Sequence, residues 1–261
     1  MPQRASRFDP QSVQEEWDAA ADAWVEGQAS GRDYYRYEFF GPAQVALCGD
    51  VAGTQLLDVG CGSGYFAREM AARGASVTGL DLSPRMLEHA RAIELLRPLG
   101  IRYVECDAAR LLDHMPHRAF DIATSCLALQ DMPDIGGALR SIHDALVPGG
   151  RLVAAITHPC TDTPFRRWHK DATGRKEWLC IDRYFEPGPL SYAWSDWLYE
   201  FRTSAYHATL EDWFGWLVDA GFTLRGLREP MPTAAAVQSC PDLEDATRIP
   251  FFLMFDARRA A

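Results

Sequence analysis

Residues 56–66 read LLDVGCGSGYF: an apolar run, glycines at 60, 62 and 64, then a segment with helical periodicity. A strand that passes through a glycine-rich turn into a helix delivers its loop to the carboxyl edge of a parallel sheet. There, backbone amides and the helix N-terminus face whatever lies above them. This unit restricts the chain to an α/β architecture with a ligand crevice at that edge, and it also discriminates among ligands. The dinucleotide fingerprint is G-x-G-x-x-G, but Tyr65 stands where a third glycine would let a pyrophosphate approach, and no G-K-[ST] follows as in a phosphate-binding loop.

The neighbouring sequence extends the unit. The runs QLLDV, ASVTGLD, IRYVECD, FDIATSC and RLVAAITH alternate with helix-like segments between Gln55 and His158, the pattern of a parallel sheet with helices on both faces. Phe66, Ala67, Met70 and Ala71 share one helical face that Gly74 terminates, and the next helix starts at Ser83 with Pro84 in its first turn. Pro148, Gly149 and Gly150 are expected to form the turn into the fifth run. Near the end, TLEDWFGWLVDAG places Leu210, Trp213, Phe214, Leu217 and Val218 on one face, with a capping-box start at Thr209 and Asp212 and a stop at Gly221. The runs FTLRGL and FFLMFD would complete the sheet.

Two regions stand outside this alternation. Residues 1–50 carry Trp17, Trp24 and the cluster DYYRYEFF, while residues 159–208 hold 11 aromatics in 50 positions against 11% over the chain, a density that marks a covering segment. The expected organisation is a helical cap over 1–50, a core over 51–158, a substrate-covering insertion over 159–208, and a helix with closing strands over 209–261.

Composition narrows the function classes. Seven cysteines without a repeated spacing do not form a disulfide framework, and the opening MPQRASRFDP lacks the apolar run of a signal peptide, so a cytoplasmic location is expected. Every apolar run falls short of the roughly 20 residues that span a bilayer. The formal charge of −10, with scattered Lys and Arg, disfavours a nucleic-acid partner and leaves a small-molecule substrate. Oligomeric state is left open.

Three carboxylates close successive strand-like runs: Asp58 in LLDVG, Asp81 in GLDLS about 20 residues on, and Asp107 in ECDA. Asp81 is placed to accept both ribose hydroxyls of a nucleoside, and Asp107 an exocyclic amine. With these residues in view, DVGCGSG, GLDLS, CDAARL, FDIATSCLALQDMPD and LVPGGRLVAAITHPC resemble, in order, five motifs of the class I S-adenosylmethionine (SAM) dependent methyltransferases. The resemblance implies a Rossmann-like, seven-stranded sheet whose last strand is antiparallel, and SAM as cofactor with S-adenosylhomocysteine as its product. It implies that Asp58, Gly60, Cys61 and Gly62 hold the methionine portion, Asp81 and Leu82 the ribose and adenine, and Asp107 and Ala108 the adenine edge. Ser125 would line the methionine side, and Arg36 or Tyr35 would reach the cofactor carboxylate. A tie between Asp58 and the loop backbone is the competing role for that acid.

The fourth motif excludes several acceptors. Its SCLA lacks the Asn/Asp-Pro-Pro-aromatic tetrad of nucleic-acid amino methyltransferases, the paired glutamates of protein arginine enzymes, and, before Asp131, the acidic cluster of metal-dependent catechol enzymes. No metal site is expected. THPC, YHATLEDW, REPMP and IPFF resemble a bacterial subgroup that methylates small metabolites, at oxygen or nitrogen by preference, with carbon as an alternative. A SAM-binding protein that does not transfer methyl groups is the rival class. Trp168, Tyr184, Trp194 and Tyr206 are the substrate-touching candidates within the insertion. His158, set before Pro159, and His207 are the candidate general bases, since an imidazole titrates near neutral pH.

Overall fold

The computed structural model describes residues 2–195 and 197–260. Its centre is a seven-stranded sheet in the order β11–β12–β6–β5–β2–β3–β4. The strands are β2 (Gln55–Val59), β3 (Ser76–Asp81), β4 (Arg102–Glu105), β5 (Phe120–Cys126), β6 (Leu146–Thr157), β11 (Phe222–Arg228) and β12 (Phe252–Arg259). Strands β4, β3, β2, β5 and β6 are mutually parallel, and β12 runs antiparallel to both β6 and β11. The α/β class, the seven strands and the antiparallel last strand agree with the expectation from the motifs.

Both faces of the sheet are covered. One carries α2 (Gly41–Cys48), α3 (Tyr65–Ala72) and α4 (Pro84–Leu96) over Leu56, Val77, Ile122 and Val153. The other carries α5 (Ile135–Ala145) and α6 (Leu210–Asp219) over Leu57, Ala123, Leu152 and Ala154. Near-continuous apolar strands such as β6 follow from burial on both sides. Local capping matches the sequence signals: Ser83 Oγ accepts from the Met86 amide at the start of α4, and Thr209 and Asp212 form a reciprocal box at the start of α6.

Two local expectations are corrected. Val218 is 68% exposed, because the packed stripe of α6 runs through Trp213, Leu217 and Ala220, with Trp216 rather than Val218 against the core. The Pro148–Gly150 stretch lies inside β6, as a register irregularity between Phe120↔Leu146 and Ile122↔Arg151, not as a turn ahead of it.

A roof covers the carboxyl ends of the parallel strands. Helix α1 (Pro10–Ala29) packs on β10 (Phe201–His207), and β10 pairs with β9 (Gly188–Trp194), which also pairs with the two-residue β1 (Gln3–Arg4). A separate hairpin of β7 (Phe165–Lys170) and β8 (Lys176–Asp182) stands beside it. Trp17, Trp24, Trp194, Trp197 and Phe201 pack as one aromatic cluster, with Trp24 stacked on Trp197 at 4.8 Å. The first 50 residues are therefore shared out: β1 and α1 join the insertion, whereas Phe39 and Phe40 pack on Ala155, Phe252 and Met254 of the sheet. Among the described residues no helix is long and apolar enough to cross a membrane.

Candidate active site

The glycine loop turns tightly between β2 and α3. Gly60 and Gly64 have φ of +71° and +84°, a region that strains residues with a Cβ. A Cβ on Gly60 would collide with Ala128, and one on Gly64 with the Tyr103 hydroxyl. The loop is pinned from the next strand, since the Gly60 and Cys61 amides both donate to the Leu80 carbonyl at 2.9 Å. At the end of β3, Asp81 Oδ2 accepts from the Gly62 amide at 2.7 Å and Oδ1 from the Ser83 amide at 2.9 Å. Burial raises the Asp81 pKa, and these amide bonds work against that rise. Asp107 caps a following 3₁₀ turn by accepting from the Ala109 amide at 3.0 Å.

Asp58 is wholly buried. Its Oδ1 accepts from Thr124 Oγ1 at 2.7 Å, and its Oδ2 has no hydrogen-bond partner. Burial pushes its carboxyl up to about 7, against the Thr124 bond. Arg36, on a π-helical turn (Arg36–Phe40), is also buried; it donates from Nε to Asp33 Oδ2 at 2.6 Å and lies 5.4 Å over the rings of both Phe40 and Tyr65. Burial opposes its charge, but the Asp33 carboxylate more than offsets this and keeps the guanidinium ionised.

These groups line one cleft at the strand ends, about 900 Å³ of empty space counted to its open mouth. Arg36, Asp58, Gly60, Cys61, Gly62, Asp81, Leu82, Asp107 and Ala108 all lie on its wall. Ser125 does not. The period of two along β5 sends Ser125 to the α5 side with Ala123, and Cys126 takes the wall position. The roof closes the cleft from above through Trp17, Trp24 and Gln28 of α1, and the Ser63 hydroxyl donates to Gln28 Oε1 at 2.9 Å. Sequence reasoning missed these α1 residues; the i, i+7 spacing of Trp17 and Trp24 was the available signal.

A second, larger cavity adjoins the first, about 1530 Å³ counted the same way. Trp168 and Trp194 line it, as does Tyr192, whose hydroxyl donates to Asp162 at 3.2 Å. Tyr35 lies on this wall and not on the first cleft. Five residues belong to both walls: Trp17, Trp24, Arg36, Leu127 and Asp131.

The remaining candidates lie elsewhere. Tyr184 accepts from the Leu210 amide at 2.8 Å and so helps cap α6, and Tyr206 packs between Phe8 and Trp216 beside a small separate void. His207 is buried, with Nδ1 at 3.0 Å from the Asp162 carbonyl and Nε2 at 2.9 Å from the Tyr184 carbonyl. His158 is 3% exposed; its Nε2 meets Glu229 at 2.9 Å and its Nδ1 accepts from the Cys160 amide. Burial lowers the His158 pKa, against the pull of Glu229. Neither imidazole lines either large cavity. Among the described residues, no group of three or more His, Cys, Asp and Glu is arranged to hold a metal ion.

A parallel sheet with a glycine loop and three acids on consecutive strand ends defines a protein that binds an adenosine-type cofactor across its carboxyl edge. Comparison with known proteins places it further. The family model described as a methyltransferase domain matches residues 57–154. The crystal structure of a SAM-dependent methyltransferase from Mesorhizobium loti is 34% identical, with a TM-score of 0.71, and the match covers 84% of this chain and 96% of that one. A Haemophilus influenzae protein without an assigned function is 28% identical over 84% of this chain and 86% of its own length. The ubiquinone biosynthesis O-methyltransferase of Pseudomonas aeruginosa is 36% identical over 102 residues, 39% of this chain and 44% of that protein, so the chain spans under half of that relative. The chain belongs to the SAM-dependent methyltransferases, and SAM is the cofactor of this family.

The cleft fits that group. Asp58 offers a buried, unpartnered carboxylate oxygen suited to an ammonium, Gly62 has open space where a Cβ would stand, and Asp81 and Asp107 present acceptors already oriented by backbone amides.

Proposed function

We propose that the protein transfers a methyl group from SAM to an oxygen or nitrogen of a small aromatic molecule, without a metal ion. The observation that supports this reading is the pair of adjoining cavities with five residues common to both walls. When bound, SAM supplies a methyl group already activated by a sulfonium. The chain's residues then have to hold, align and dry the reactants.

In this reading Asp81 and Leu82 hold the ribose and adenine, Asp107 and Ala108 the adenine edge, and the 60–62 loop with Asp58 and Arg36 the methionine end. Trp17 and Trp24 close the junction from above and exclude water, while Trp168, Trp194 and Tyr192 flank a flat acceptor. His158 and His207 have no role as bases here, because each spends its ring nitrogens on protein partners and neither imidazole lines either of the two cavities. The O-methylation named for the Pseudomonas relative supports a heteroatom acceptor, although the shared 102 residues are too few to carry the acceptor's identity.

The test is incubation with methyl-labelled SAM and fractionated extract of the producing organism. The expected result is a labelled small molecule formed in step with S-adenosylhomocysteine. A changed metabolite with SAM left intact would instead assign the protein to the non-methylating users of this cofactor.

A further inference from the structure

Asp131 occupies an unusual place. It follows β5 on a short 3₁₀ turn (Leu129–Asp131), so the fold carries it to the strand-end edge, and it lines both the cofactor cleft and the aromatic cavity. Of the five residues common to both walls it is the one carboxylate, and three cations on those walls already have a counter-charge, whereas Arg167 on the second wall has no salt bridge among the described residues. Arg36 is paired with Asp33, Arg166 with Asp162 at 2.6 Å, and Lys176 with Asp245. Asp131 has no salt bridge among the described residues, and the charges on other elements that act on it most are carboxylates: Asp162 after β6, Glu16 on α1 and Asp81 on β3. Arg36, the cation on the same two walls, already spends its Nε on Asp33. A carboxylate without a salt bridge, on walls it shares with Trp17 and Trp24, can accept a hydrogen bond from a molecule bound at the junction.

We propose that Asp131 is the catalytic residue that hydrogen-bonds the acceptor's N–H or O–H group at the junction of the two cavities and takes its proton during methyl transfer. The inference rests on the function proposed above and names the acceptor class: a flat molecule whose reacting nitrogen or oxygen still carries hydrogen. As the bond from that atom to the methyl carbon forms, the S–C electron pair stays on sulfur. The X–H bond gives its proton to the Asp131 carboxylate, which returns it to solvent. Burial raises the Asp131 pKa well above that of an ordinary carboxyl, in the direction that makes it a better base, and the neighbouring Asp162 adds to this. Asp131 also lines the cofactor cleft, so the experiment must separate a role toward the acceptor from one toward the cofactor's positive charge.

The test uses the full chain saturated with S-adenosylhomocysteine and matched probes, phenol against anisole and benzylamine against toluene, with affinities read by ligand-observed NMR. Wild type is expected to prefer phenol and benzylamine by about fivefold or more, the worth of one net hydrogen bond. Asp131→Asn and Asp131→Ser should abolish that preference for benzylamine and shrink it for phenol, and neither should change the ratio of SAM to S-adenosylhomocysteine affinity measured by calorimetry. No preference in wild type, or a benzylamine preference retained in both variants, overturns the proposal. A selective loss of SAM affinity in both variants also overturns it, by making Asp131 a sulfonium partner. Because the probes report binding, these failures count against Asp131 alone, whereas failure of wild type to bind S-adenosylhomocysteine at all counts against the proposed function.

Discussion

Asp81 and Trp24 face the same cleft from opposite sides and are held there by different means. Asp81 is fixed by amides of Gly62 and Ser83, groups that belong to its own strand end and to the loop beside it. Trp24 is fixed by Trp194 and Trp197, which arrive from the far insertion, with ring centroids 5.6 Å and 4.8 Å away. The floor of the site is backbone geometry set by short-range sequence, and the roof is side-chain packing between distant segments. Damage to the floor should therefore cost the cofactor, and damage to the roof should cost the acceptor while leaving the cofactor in place.

The strongest way to break the floor is Gly60→Ala. The positive φ strains any Cβ, and this one also meets Ala128, so the loop must shift. Binding of S-adenosylhomocysteine should fall by about 100-fold or more, with a destabilisation of about 1–3 kcal/mol, read by calorimetry and thermal unfolding. Unchanged affinity would show that the loop does not touch the cofactor.

Next in size is the pH dependence that buried Asp58 imposes on the protein without cofactor. Its folded pKa is raised from 3.8 to about 7, so the native state holds this proton more tightly than the unfolded chain does. Stability from this group is full below pH ~4 and is lost as pH rises to about 7, by at most ~4 kcal/mol. Denaturant melts from pH 4 to 8 should show that fall, and Asp58→Asn should flatten it. A wild-type curve already flat over this range would mean that the carboxylate has a partner after all.

Asp81→Ala comes third. Losing a charge-assisted hydrogen bond to the ribose should weaken S-adenosylhomocysteine by roughly tenfold to a hundredfold in a variant that still melts cooperatively. On the roof, Trp168→Ala should leave that affinity within about twofold and weaken phenol by about fivefold, since only the second cavity loses a ring. Equal loss of both ligands would erase the distinction between floor and roof. The smallest expected effect is none: chelators should leave methyl transfer unchanged, and so should His158→Ala. A loss in EDTA restored by magnesium would reveal a missed ion site.

The same contrast explains what the sequence made legible. Asp81 and Asp107 could be placed because strand periodicity and a glycine loop fix the carboxyl edge without help from distant residues. Ser125 was misplaced by one residue, since a motif locates a strand end but the period of two decides which neighbour faces the ligand. Cys126 therefore stands on the wall instead. Tyr184, Tyr206 and His207 were singled out by residue type in an aromatic segment, and His158 by its place at the end of the fifth strand before Pro159, signals that say little about side-chain direction; their hydrogen bonds and packing turn them to other parts of the fold. Trp17 and Trp24 were visible as aromatics, but their place over the cleft depends on α1 crossing to β10, a pairing nearly 200 residues apart that no local pattern encodes.

The central claim is that one cofactor cleft and one aromatic cavity meet at Trp17, Trp24 and Asp131. A crystal structure of the complex with S-adenosylhomocysteine tests it most directly. The account predicts the adenosine between Asp81 and Asp107, and the sulfur at the junction, open toward Trp168 and Trp194. Density that places the sulfur away from Asp131, or the cofactor in the aromatic cavity, would contradict it.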